Sequence, residues 1–397
     1  MDYNKYLNQS VQSISPSGIR KFFDIANEMD NVISLSIGEP DFQTPWHIRD
    51  EGIRSLEKGK TFYSPNRGFS DLLKEITNYY ERRFSLTYSP ADQTLVTVGG
   101  SEAIDLTFRT LVEEGDEVII PQPSFVCYTP LATMAGGTPV VINTKNEDNF
   151  RLKASDLEAA ITPKSKLLVL PFPNNPTGAI LEKRDLLEIA EVVKKHDLIV
   201  LSDEIYCELT YGGRNHVSIA SIDGMYERTV VVNGFSKSYA MTGWRLGWVA
   251  APEWIVKGIN KLQGQYTSGT CDVSQMAALA AYQSSQECVE EMRKAFEKRR
   301  DLIVGLAREI PGLEVNVPEG AFYLFPKCSS FFGKSDGKTV ISNSTDFAMY
   351  LLQEGHVATV GGDAFGDPDC FRMSYATSDD NIKEAMRRIK EVTARLK

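Results

Sequence analysis

Between residues 94 and 250 the chain alternates short β-rich apolar runs with stretches of helical spacing, and no other feature restricts the fold so tightly. Residues 94–98, 117–120, 139–142, 166–170, 198–201, 229–232 and 246–250 read as seven strands. Between them, Leu186, Ile189, Ala190 and Val193 share one face of a helix over 182–196, and 101–112 carries a comparable face. Such alternation predicts an α/β architecture with a mostly parallel seven-stranded sheet flanked by helices. Ligands of these sheets gather beyond the carboxyl ends of the strands.

The flanks differ in texture. A polar arm leads into a segment with Ile19, Phe22, Phe23 and Ala26 on one face, and then into a short strand over 32–37 that ends in the turn-forming Gly38-Glu39-Pro40-Asp41-Phe42. After about residue 285 a long charged helix (287–308), strands near 313–317 and 321–325, a polar loop (329–343) and helices at 345–354 and 379–396 describe a smaller α+β domain. The expected division is 1–45 as arm and part of the small domain, 46–285 as the large domain, and 286–397 as the small domain.

Composition narrows the function. A net charge of -10 and a pI near 5.2 argue against nucleic acid or an anionic membrane as partner. The six cysteines are widely spaced and lack a C-x-x-C pair, so neither a disulfide framework nor a metal site is expected. With no apolar leader and no membrane-length apolar window, a cytoplasmic protein with reduced thiols is the expectation.

Four stretches follow predicted strands and carry polar groups. Gly99-Gly100-Ser101 offers backbone N–H groups at a helix start, which suits an anion, although an ordinary cap explains it equally well in isolation. The loop 171–178, with Asn174 and Asn175, can present an amide, and Asp203 with Tyr206 puts a carboxylate and a phenol at another strand end. Residues 233–247, N-G-F-S-K-S-Y-A-M-T-G-W-R-L-G, deliver Lys237 past a glycine turn, with Ser236 before it and Arg245 after it.

Taken together, these motifs resemble the class I aminotransferases, pyridoxal-phosphate enzymes of fold type I. Gly234-Phe235-Ser236-Lys237, Ala240-Met241, Gly243 and Arg245-Leu246-Gly247 are similar to that family's cofactor-lysine signature. Asn174-Asn175-Pro176 and Asp203-Glu204-Ile205-Tyr206 match two further motifs in the same order, and the likeness runs on to Phe371-Arg372. The resemblance implies that Lys237 carries pyridoxal 5′-phosphate and moves the proton at the substrate Cα. It implies Asp203 at the ring nitrogen, Tyr206 and Asn175 at the ring oxygen, and Phe125 stacked on the ring, where many relatives have tryptophan. Gly100, Ser101, Ser236 and Arg245 would hold the phosphate, with Tyr63 reaching it from the other subunit of a homodimer. Arg372 would clamp the substrate α-carboxylate, with Gly38 and Asn175 alongside.

What the resemblance implies is transfer of an amino group from an aromatic or acidic L-amino acid to a 2-oxo acid such as 2-oxoglutarate, in a ping-pong sequence. A C–S β-lyase and a cofactor-sensing regulator are the alternatives. Phe125 and Ser218-Ile219-Ala220-Ser221 look like the aromatic branch. Arg20 and Arg109 are candidate partners for a distal substrate carboxylate, with a surface salt bridge the commoner fate of either. The histidines at 47, 196, 216 and 356 lack ligand spacing and read as structural.

Overall fold

The computed structural model describes residues 4–15, 25 and 29–397. Most of the segment carrying Ile19, Phe22, Phe23 and Ala26 lies outside the described residues, and so does Arg20. The strand predicted over 32–37 shrinks to β1 (Ile33–Ser34). The central sheet comprises β2 (Thr94–Thr97), β3 (Glu117–Gln122), β4 (Thr138–Asn143), β5 (Ser165–Leu170), β6 (Ile199–Asp203), β7 (Thr229–Gly234) and β8 (Gly247–Ala250). Its order is β2-β8-β7-β6-β5-β3-β4, and only β8 runs against its neighbours. The seven-stranded, mostly parallel α/β expectation therefore holds.

Burial on both faces explains why the strands inside the edge strand β4 read as continuous apolar runs. On β5, Leu167 and Val169 join a cluster with Leu106, Phe108 and Ile255, whereas Leu168 and Leu170 join Leu186, Ile189 and Val193 of helix Lys183–Lys195. Each such side chain contributes roughly 1.5–3 kcal/mol on leaving water, so neither face tolerates exposure. Helix Gly99–Leu111 begins at Gly99 rather than at Ser101, because the Glu102 carboxylate reaches back to accept the Val98 backbone N–H. Helices Trp46–Glu57, Ser70–Phe84, Glu253–Tyr266 and Asp272–Gln283 were not anticipated. Three of them contribute Ile48, Leu72, Ile76 and Ala277 to a cluster closed by Trp248 of β8.

Helix Glu287–Arg308 follows the predicted span, and helices Ser344–Gly355 and Asp379–Thr393 lie close to theirs. A single core joins Phe296, Ile303, Phe347, Phe371, Ile382 and Ile389. Of the two strands expected near 313–325, only β9 (Tyr323–Leu324) forms, and Glu314 makes an isolated bridge to Lys327. The alternation at Leu313 and Val315 is real packing, but the ladder is replaced by a side chain. Asn316 accepts from the Phe325 backbone N–H and donates to the Thr177 carbonyl. β10 (Val357–Ala358) pairs in parallel with β1, while β11 (Val360–Gly361), β12 (Phe371–Ser374) and β9 form a three-stranded antiparallel sheet. No helix among the described residues is long and apolar enough to cross a membrane.

Candidate active site

The carboxyl ends of β2, β3, β5, β6 and β7 open onto a cavity of about 350 Å³, which Arg372 of β12 closes from the small sheet. Leaving β7, the Asn233 side chain accepts its neighbour Gly234 N–H at 2.7 Å, and the chain turns out of the sheet to deliver Ser236 and Lys237. It returns through Arg245, held at φ 52°, and re-enters as β8, with Gly234 paired to Gly247. Gly247 is obligatory for space: a Cβ there would lie 2.6 Å from the Gly100 nitrogen. This close approach brings the start of helix Gly99–Leu111 against the excursion, so Gly100, Ser101, Ser236 and Arg245 share one end of the cavity. No side chain caps that helix, which leaves its first N–H groups for an anion.

At the other end sits Arg372, 1% exposed. Its Nη1 donates to Asn175 Oδ1 at 2.9 Å and its Nη2 to the Ser36 carbonyl at 2.6 Å, while Nε has no partner among the described residues. Burial lowers its pKa, and no carboxylate among the described residues pairs with it. A buried guanidinium without a counter-ion is costly unless a ligand supplies one.

Lys237 Nζ lies between these ends and donates to the Gly38 carbonyl at 2.6 Å. Burial, aided by Arg372 and Arg245 and opposed by Glu39 and Asp203, brings its pKa from 10.5 to about 8. The Asp203 carboxyl is raised by burial, against the Tyr128 hydroxyl, which donates to Oδ2 at 2.7 Å, and the Ile205 N–H, which donates to Oδ1 at 3.2 Å. The Tyr206 and Tyr323 hydroxyls lie 2.7 Å apart and both phenols are raised, chiefly by burial. Phe125 forms part of the wall, its ring edge-on to Tyr128.

Eleven of the twelve residues expected at the site (Gly38, Gly100, Ser101, Phe125, Asn175, Asp203, Tyr206, Ser236, Lys237, Arg245, Arg372) line this one cavity. Tyr63 does not; it is 96% exposed, beside Phe62 at 83%, and so is no core aromatic. Arg109 pairs with Asp105 one helical turn away and does not line the cavity. The histidines are all engaged: His47 with Ser284, His196 with Glu158, His356 with the Asp30 carbonyl, and His216 at 3.1 Å from Glu204.

Sequence reasoning missed Tyr128, Tyr323, Thr242 and Glu39, which also line the cavity. Thr242 donates to Glu39 at 2.9 Å, joining the excursion to the loop after β1. It also missed the fully buried Glu204, which accepts from Tyr80, Ser202 and Ser218. Hydrogen bonds to that carboxylate and the nearby His216 outweigh burial and hold its pKa down.

The arrangement offers an anion cradle, an amine with its proton loosely held, a buried carboxylate, a phenol and amide pair, and an unpaired guanidinium. Such a set suits a flat phosphorylated aldehyde at Lys237 and a carboxylate-bearing substrate at Arg372.

Comparison with known proteins agrees. The family described as aminotransferase class I and II matches residues 30–389. A putative aminotransferase, YugH, of Bacillus subtilis is 46% identical over 97% of both chains. Aromatic-amino-acid aminotransferase 2 of Thermococcus litoralis is 42% identical over 97% of this chain and 98% of that one. The solved aspartate aminotransferase of Rhizobium meliloti superposes with a TM-score of 0.95 at 37% identity, covering 98% and 99% of the two chains. Likeness of that extent, on a fold whose strand ends meet around Lys237, means that the chain belongs to the class I and II aminotransferases and is a pyridoxal-phosphate-dependent enzyme.

Proposed function

We propose that the enzyme takes the amino group of an aromatic or acidic L-amino acid and passes it to a 2-oxo acid, 2-oxoglutarate foremost, in two half-reactions that share one site. The observation that carries this is Arg372, buried in the cavity that holds Lys237 with neither a counter-ion nor an Nε partner among the described residues. Relatives named for aromatic amino acids and for aspartate support both donor classes.

The cavity fits pyridoxal 5′-phosphate. The uncapped helix start with Ser101, Ser236 and Arg245 would take its phosphate, and Asp203 would face its ring nitrogen. Asn175 gives its carbonyl oxygen to Arg372, so its amide N–H is free for the ring oxygen alongside Tyr206. Phe125 would cover one ring face. When bound, the cofactor supplies an aldehyde that collects amino groups and a ring that accepts electron density from the substrate Cα.

The protein's own groups do the rest. Arg372 binds the α-carboxylate through paired donors and so orients the Cα–H bond. Lys237 Nζ would remove the substrate Cα proton and hold it for return within the same site. Asp203 would stabilise a proton on the ring nitrogen through a charge contact worth about 4 kcal/mol at an effective dielectric near 20 before desolvation is subtracted.

Tyr63, exposed next to Phe62 in the chain, supports a homodimer in which it completes the partner's phosphate site. On the same reading the chain divides into 1–45 and 286–397, which bring Gly38 and Arg372, and a large domain, 46–285, which brings Lys237. The test is a donor panel of L-phenylalanine, L-tyrosine and L-aspartate, read by near-visible absorbance. A donor alone should shift the spectrum, and 2-oxoglutarate should reverse the shift. Release of pyruvate and ammonia from a cysteine conjugate without any oxo acid would refute transamination in favour of a C–S β-lyase.

A further inference from the structure

Tyr206 and Tyr323 are buried phenols, 5% and 0% exposed, with ring planes at 82°. Among the described residues each hydroxyl has one hydrogen-bond partner, the other hydroxyl. Two O–H groups sharing one hydrogen bond leave one phenolic proton without an acceptor in the protein, which is costly at a buried site.

The surroundings decide which proton that is once the cavity is filled. The Tyr323 hydroxyl lies against the Gly38 backbone, 2.7 Å from where a Cβ would be, which leaves that side of the hydroxyl no room for a further group. The Tyr323 ring is fixed from its face by the Arg372 guanidinium, 4.6 Å from its centroid. Among the described residues the hydrogen-bond partner of the Tyr323 hydroxyl is Tyr206 Oη. An acceptor placed beside Tyr206 draws the Tyr206 proton, and the Tyr323 proton must then fill the vacated lone pair.

We propose that Tyr323 is a positioning residue whose hydroxyl donates to Tyr206 Oη and thereby commits the Tyr206 proton to the cofactor ring oxygen. This rests on the assignment of pyridoxal 5′-phosphate to the cavity and of Tyr206 to the ring oxygen. The two phenols form a donor chain that ends on a developing anion, and chained hydrogen bonds strengthen one another. Because the Tyr323 ring also carries the guanidinium that grips the substrate carboxylate, one side chain touches both the cofactor-tuning and the substrate-binding ends of the cavity.

The test uses the holoenzyme and the pH midpoint of its near-visible absorbance. Donors to the ring oxygen favour the deprotonated lysine-bound cofactor, in which negative charge concentrates on that oxygen, so losing a donor raises the midpoint. Tyr206→Phe should raise it by about 1–2 pH units, the value of a hydrogen bond to a charged group. Tyr323→Phe should raise it by roughly 0.1–0.6 units, a strengthening of about 10–30% of the Tyr206 effect. In the Tyr206→Phe background, adding Tyr323→Phe should move it no further. Gly38→Ala, whose methyl would displace the Tyr323 hydroxyl while keeping the phenol, should shift the midpoint in the same direction. An unchanged midpoint in Tyr323→Phe, or an equal shift in both backgrounds, would overturn the relay. A wild-type protein that leaves the near-visible spectrum of added pyridoxal 5′-phosphate unchanged and releases it on gel filtration would overturn the cofactor assignment instead.

Discussion

At pH 7 an amine of pKa 10.5 is free of its proton in roughly one molecule in 3,000, and one of pKa 8 in roughly one in ten, a gain of about 300-fold. Lys237 makes that move, from 10.5 to about 8, through burial first and then the Arg372 and Arg245 guanidinium groups. Only the free amine attacks an aldehyde. With cofactor-free protein at saturating pyridoxal 5′-phosphate, the first-order rate of capture should rise with pH through a midpoint near 8 and level off about one unit above it. Arg372→Leu removes the second-ranked influence and should move the midpoint upward, yet keep it below 10 because burial persists.

The same shift affects stability, with a definite sign. The folded value lies below the unfolded one, so the protonated amine weakens the fold below about pH 8, and that cost is relieved as pH climbs from 8 to 10.5. The difference, 10.5 − 8 = 2.5 units, has an upper limit near ~3.4 kcal/mol. Lys237 keeps some solvent contact, so about 2 kcal/mol is the working figure. Cofactor-free Lys237→Met should accordingly melt above the wild type at pH 7, with the gap closing above pH 10. A capture midpoint at 10 or higher, or a Met variant no more stable than wild type, would refute the burial argument.

Tyr128→Phe removes the one side-chain donor to Asp203 among the described residues, a hydrogen bond worth roughly 1.5–3 kcal/mol to a charged acceptor. Cofactor affinity should fall about tenfold or more at pH 7. Because Asp203 already has a raised value, the Tyr128→Phe melting deficit should shrink as pH drops and the carboxyl becomes neutral; a pH-independent deficit would show that Tyr128 only fills space. Gly247→Ala drives a methyl into the Gly99–Gly100 backbone, which cannot swing aside as a side chain can. Thermal unfolding should register a loss of roughly 1–3 kcal/mol together with weaker cofactor binding, and an unchanged melting point would contradict the close approach.

What the sequence revealed was local in chain terms. Lys237, Ser236 and Arg245 sit on one excursion, and Asp203 and Tyr206 on one strand end, so short spacings carried them. The partners that complete the chemistry are remote: Tyr128 is separated from Asp203 by 75 residues, and Tyr323 from Tyr206 by 117. No periodicity reports such a pairing. Tyr323 did fall inside a predicted strand, but strand membership says nothing of where a phenol's hydroxyl ends. The β pattern at 313–317 misled for a related reason: Leu313 and Val315 pack as strand residues would, while the Asn316 amide takes over hydrogen bonds that a ladder would have made.

β8 runs against its neighbours, and the consequence is one of tolerance to insertion and deletion. Because Gly234 and Gly247 face each other across a ladder, the chain between them has both ends pinned at the same spot. Its length is therefore fixed by the distance from the lysine to the phosphate grip, and a residue gained or lost there has nowhere to be absorbed. The Gly212–Gly213 turn at φ 68° and 72° lies outside that loop and lines no part of the cavity, so it can change length without disturbing the spacing of Ser236, Lys237 and Arg245. An engineer wishing to graft a tag or a second module into this enzyme would cut at the glycine turn and leave the excursion alone.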